Sequence, residues 1–105
     1  MQKRQLINIQ KQINSIKREL QKVGEMRPGS LSRQFVSQYG KKYPYYQISY
    51  THNTKSHTDY IRKEFIAGLR QEIKNYKRFK YLVKRWVDLA MEYSKLKVDI
   101  ASKKM

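Results

Sequence analysis

The chain has 105 residues, 24 of them Lys or Arg and only 8 Asp or Glu, for a formal net charge of +16. It contains no cysteine, which excludes disulfides, thiolate zinc sites and thiol catalysis together. So short a chain allows one domain, 1–105. Self-repulsion on this scale opposes compaction and calls for a polyanionic partner, nucleic acid first and a membrane surface second.

From Gln2 to Val23 the apolar residues are Leu6, Ile9, Ile13, Ile16, Leu20 and Val23. They advance in steps of three and four, a heptad seam with Leu6, Ile13 and Leu20 at a and Ile9, Ile16 and Val23 at d. Only Ile7 leaves the seam, and apart from Ser15 and Glu19 the rest of the helix is Gln, Asn, Lys and Arg. So narrow a stripe needs a partner helix. Gly24 is the expected C-cap of a helix over 1–24, and Pro28-Gly29 prevents continuation.

Residues 30–61 read as a three-stranded antiparallel meander. Leu31, Arg33, Phe35, Ser37 and Tyr39 alternate along a first strand, and Tyr46, Ile48 and Tyr50 alternate with Gln47, Ser49 and Thr51 along a second. The segment Gly40-Lys41-Lys42-Tyr43-Pro44 is expected to link the two. His52-Asn53-Thr54-Lys55 reads as a turn, and Ser56 to Ile61 as the returning strand. So small a sheet must pack on a helix.

Residues 62–103 return to helical spacing, with one glycine, Gly68, and no proline. Ile66, Leu69, Ile73 and Tyr76 form one stripe. Tyr76, Phe79, Val83, Trp86, Ala90, Tyr93 and Ile100 form a second, with Lys97 in its one empty position. Between the stripes the phase shifts, so a kink near Asn75 or a junction of two helices is expected. The predicted fold is α+β: a long N-terminal helix, the meander, and a long C-terminal helical segment that folds back as an antiparallel coiled-coil-like stalk with the first helix.

Charge concentrates in the last segment, where Lys74, Lys77, Arg78, Lys80, Lys84 and Arg85 occur without an acid between Ile73 and Val87. With Tyr76, Phe79, Val83 and Trp86 inward, Lys74, Lys77, Arg78, Lys84 and Arg85 fall at outward b, c and f positions. A merely solvated face would interleave Glu for i,i+4 pairing, and a run of one sign forgoes it. These five are the expected phosphate contacts, with Tyr81 among them to stack on a base or sugar. Arg33, Lys41 and Lys42 are secondary contacts beside a cluster of tyrosines. Of these tyrosines, Tyr46 and Tyr50 flank Ile48 in the alternation and are assigned to the core.

Catalysis finds no footing. His52 and His57 flank a turn with only Asp59 near, and no paired carboxylates, phosphate-cradling glycine loop or nucleophile–base motif is present. Asp59 and Glu64 beside Lys63 have a spacing too commonplace to define a nuclease cluster. The expectation is a protein that is no enzyme and holds no metal or cofactor. Lys3 and Arg4 precede an Asn- and Gln-rich stretch and not the apolar core of a signal peptide, and no apolar run approaches roughly 20 residues. A cytoplasmic location is expected, with nucleoid association as an option and no membrane partner.

Pro28-Gly29-Ser30-Leu31, Gly40-Lys41, Pro44-Tyr45-Tyr46 and Asn75-Tyr76-Lys77-Arg78-Phe79 follow one another in order. Over about residues 15 to 95, this arrangement resembles a family of small bacterial and archaeal proteins often encoded near mobile elements. The family carries a Cys-rich stretch between the G-K turn and the P-Y-Y strand, suggesting a small metal knuckle. Here that stretch is reduced to Lys42-Tyr43, so a zinc-dependent role does not carry over. The resemblance implies the α-β-β-β-α layout and a mobile-element setting, and no activity. The functional expectation is a DNA- or RNA-binding protein that grips phosphate backbone within a larger nucleoprotein assembly. The alternative is a coiled-coil interaction module whose 6–23 seam recruits a larger protein or a second copy.

Overall fold

A computed structural model describes residues 2–103. The order is helix α1 (Gln2–Gln21), strands β1 (Ser30–Gln38), β2 (Lys41–His52) and β3 (Lys55–Ile61), a 3-10 turn (Lys63–Phe65), and helix α2 (Ile66–Lys103). The fold is α+β, and α2 packs against α1. It divides into two compact units, residues 1–23 with 78–105, and residues 24–77.

In the first unit, Ile9, Ile13 and Ile16 of α1 form a buried cluster with Leu82 and Leu89 of α2. Leu20, Val23, Trp86, Tyr93 and Leu96 pack around it, half-buried. The expected α1 seam is therefore the observed one from Ile9 to Val23, and Leu6 before it is half-buried. The α2 seam differs from the expected one: it runs Phe79, Leu82, Trp86, Leu89, Tyr93, Leu96, Ile100, an unbroken alternation of three and four. Val83 is only half-buried, and Ala90 and Lys97 are exposed. Their neighbours Leu82, Leu89 and Leu96 take the inward places, because a leucine buries more apolar area than valine or alanine one residue on. The helices run antiparallel, as the links Gln2–Asp99, Gln12–Arg85 and Glu19–Arg78 require.

In the second unit the strands are ordered β1-β2-β3, antiparallel throughout. Both turns have two residues with positive φ at each, Tyr39 (53°) and Gly40 (74°), then Asn53 (52°) and Thr54 (64°). Two-residue turns of this kind match the right-handed twist of the flanking strands. The segment expected as a linker, Gly40 to Pro44, is thus mostly strand: Lys41 pairs with Gln38 and Pro44 with Phe35. Pro44 is tolerated because β3 ends opposite Tyr46, leaving one edge of β2 unpaired there. Tyr39 lies in the turn and not in the strand.

Ile48 is fully buried, and Ile66, Leu69 and Ile73 on α2 are the unit's other buried apolar residues. A Cβ on Gly29 (φ 144°) would come within 2.8 Å of the Ile48 side chain, so the P-G dipeptide is where the chain presses onto the sheet core. The loop after α1 is tied to α2 twice. Arg27 N–H donates to the Glu72 carbonyl (3.1 Å), and Asn75 Nδ2 donates to the Glu25 carbonyl (2.7 Å). No break occurs at Asn75: α2 is one continuous helix, and the phase shift marks where its apolar stripe passes from one unit's core to the other's.

Two substitutions test these assignments. Leu89→Ala should cost about 2–5 kcal/mol in urea unfolding, and Ala90→Ser, one residue on, less than about 0.5 kcal/mol. Thr54 is a β-branched residue held at positive φ, so Thr54→Gly should raise stability by about 1 kcal/mol, a gain of a few degrees in Tm.

Candidate nucleic-acid interface

The first unit's described residues hold thirteen Lys and Arg against four acids: Glu19, Asp88, Glu92 and Asp99. Glu19 is shared by two cations, Arg78 Nη2 at 3.4 Å and Lys22 Nζ at 3.7 Å. Asp99 takes Lys103 at 3.6 Å and the Gln2 amide at 3.2 Å. Half of the acids are thus engaged with immediate neighbours, while most of the cations remain.

The one-residue rotation of the α2 seam moves the expected contacts. Arg78 and Arg85 are not on the outer face but at positions flanking the seam. Arg78 reaches Glu19 of α1, and Arg85 Nη2 donates to Gln12 Oε1 (3.1 Å). Each remains exposed, so it links the two helices and still presents charge to solvent. Tyr81 lies further round that flank and Lys84 at f, opposite the seam, both exposed, with the Arg78 guanidinium 5.9 Å from the Tyr81 ring centre. In the second unit, Lys74 and Lys77 are exposed on the first part of α2.

A further set of cations lies outside the expected contacts, although the α1 heptad itself contains it. Counting from the α1 seam, Arg4, Lys11 and Arg18 all occupy f, the position directly opposite the buried stripe. Seven residues at 1.5 Å each set them about 10.5 Å apart in a row along the back of α1. All three are exposed, and no carboxylate pairs with them among the described residues. On the other side of α1, Lys17 sits over the Trp86 ring at 5.3 Å, holding that half-buried indole against the seam.

In the second unit, the secondary contacts separate. Antiparallel register places Arg33 opposite Tyr46, and Lys42 opposite Ser37, on the face that carries Ile48. Arg33 lies over Phe35 at 5.1 Å there. Lys41 is on the other face, in line with Tyr43 and Tyr45. The core assignment of Tyr46 and Tyr50 agrees with their half-burial on the Ile48 side; Tyr50 donates to Asp59 (3.0 Å), which also takes Arg27 (3.2 Å). His57 stacks on Tyr50 at 5.1 Å. Among the described residues, no three His, Asp or Glu side chains gather as a metal site, and no helix is long and apolar enough to cross a membrane.

No family model, curated protein or solved structure matches this chain.

Substitutions at two residues of the N-Y-x-R-F run, Asn75 and Arg78, should differ in their effect on stability. Asn75→Ala, which strips a short bond from the loop carbonyl, should cost about 1–2 kcal/mol in urea unfolding. Arg78→Gln should cost less than about 1 kcal/mol, because both partners of its ion pair are well exposed.

Proposed function

We propose that this protein binds nucleic acid through the phosphate backbone, using cations presented by its helices. The observation that carries the reading is the row Arg4–Lys11–Arg18: three cations at regular spacing on the most exposed line of α1, uncompensated by acid. A helix packed only for solubility needs no such row, and a polyanion laid along it gains attraction from all three cations. Arg78, Lys84 and Arg85, with Tyr81 between them, add a second acid-free stretch in the same unit. Lys74 and Lys77 do so in the other. A mobile-element setting, which is all that the motif resemblance implies for function, would put that binding within a larger nucleoprotein assembly.

An interaction module recruiting a partner through the 6–23 seam is less well supported. Ile9, Ile13 and Ile16 are already covered by α2 of the same chain, so recruitment would first have to open that pair.

The test is the salt dependence of binding to a labelled 20-base-pair duplex, followed by anisotropy from 50 to 300 mM salt. Each phosphate contact contributes about 0.9 to the log–log slope. Arg4→Gln, Lys11→Gln and Arg18→Gln together should leave the thermal midpoint unchanged and flatten the slope by about two to three. A parent protein that fails to bind at 50 mM, or binds with no salt slope, would overturn the proposal.

A further inference from the structure

The sheet has two unlike faces. Leu31, Tyr46, Ile48, Tyr50 and Ile61 point to the side where Ile48 is fully buried, and Asp59 is on that side too. The opposite face is uncovered and carries, in register, Val36 opposite Tyr43, Gln34 opposite Tyr45, and Gln47 opposite Tyr60. The Tyr45 and Tyr60 rings stand 5.6 Å apart and tilted by 51°, and Tyr43 follows two residues along β2, about 6.8 Å away. Tyr60 is 80% exposed and Tyr43 44%. No acid occurs between Glu25 and Asp59, so this face has none, while Lys41 stands at its outer end.

Tyrosine suits strands, and a single exposed ring would need no explanation. Three rings on the uncovered face, with glutamine amides between them and cationic charge alone, are a different case. A protein partner would be matched by mixed charge, and a lipid surface by apolar bulk and more than one cation. Exposed rings on a sheet face, spaced so that unstacked bases can lie on successive rings, accept single-stranded nucleic acid; amides between them reach base edges. We propose that this open face, through Tyr43, Tyr45 and Tyr60, stacks unpaired bases, with Lys41 on the adjoining phosphate. The proposal rests on nucleic acid being the partner and adds what the helices do not supply, a preference for single-stranded over duplex substrate.

The probes are fluorescein-labelled (dT)12, a 12-mer of equal charge made of abasic units, and a 12-base-pair duplex, each titrated against the full chain. Binding of (dT)12 should exceed that of the abasic strand by at least tenfold, and that of the duplex at equal salt. Stacking is sequence-tolerant and strong enough that each ring lost should weaken (dT)12 at least about fivefold. Tyr43→Ala with Tyr60→Ala should weaken (dT)12 by about 25-fold or more and leave abasic binding unchanged. Tyr43→Phe with Tyr60→Phe keeps the rings and should bind as the parent does, which keeps the proposal testable should the alanine pair fail to fold. Equal affinity for (dT)12 and the abasic strand, or a preference for duplex, overturns this proposal and leaves the phosphate-binding one standing. Failure of all three probes to bind overturns both.

Discussion

The first unit depends on a seam one residue wide. Ile9, Ile13 and Ile16 have Leu82 and Leu89 to pack against, with half-buried side chains around them, and no polar or charged residue is buried among the described residues. Against this narrow apolar contact stands an excess of nine positive charges over the same residues. Surface ion pairs contribute little to holding such a pair together. What keeps the charge compatible with folding is its placement. Most of the cations are carried at f, at the flanks of the seam, or over an aromatic ring as with Lys17 and Trp86, where solvent screens them.

The N-Y-x-R-F run occupies the stretch where the α2 apolar stripe changes phase. Ile66, Leu69, Ile73 and Tyr76 keep one heptad register, and Phe79, Leu82, Trp86 and Leu89 keep another displaced by one residue. At this change, Asn75 holds the loop carbonyl of Glu25 and Arg78 holds Glu19. Those motif residues are therefore explained by local structure: one ties down the loop within the second unit, and the other links the helices of the first. The P-G-S-L motif has a similar basis, since Gly29 is the close approach to Ile48, and Leu31 pairs with Ile48 across the strands. None of these contacts needs a ligand, so a function argued from those motifs alone would have mistaken scaffold for site.

This explains how much could be read from the residues. The α1 seam was legible because only one apolar residue, Ile7, lies off it. The α2 seam was ambiguous because apolar residues come in adjacent pairs, Leu82-Val83 and Leu89-Ala90, and either register has large aromatics on it. Lys97 at an otherwise apolar position was the sign that the register was one residue out; shifting back places Leu96 there and closes the heptad. The strand from Lys41 to Pro44 was hidden by a proline and a Gly-Lys pair that mark loops elsewhere. A strand paired on one side only accepts proline, and pairing is decided by tertiary register that composition does not carry. The tyrosines were visible as a cluster, but which of them share a face depended on that same register.

The rotation of the α2 seam also changes what kind of nucleic-acid surface the helices can offer. Cations at b, c and f would stand clear of the helix pair on flexible stems and suit many geometries equally. Arg78 and Arg85 at the flanks are instead held by Glu19 and Gln12, so part of their rotational freedom is already lost before any partner arrives. A guanidinium fixed in this way presents its remaining donors in one direction, which favours a phosphate at a defined place. The Arg4–Lys11–Arg18 row has no such tethers among the described residues, and in the proposed binding it would supply attraction without fixed direction. Placement by the arginines and attraction by the row would therefore be separable contributions to the proposed binding: the first depends on the α1–α2 seam being closed, and the second only on α1 being a helix.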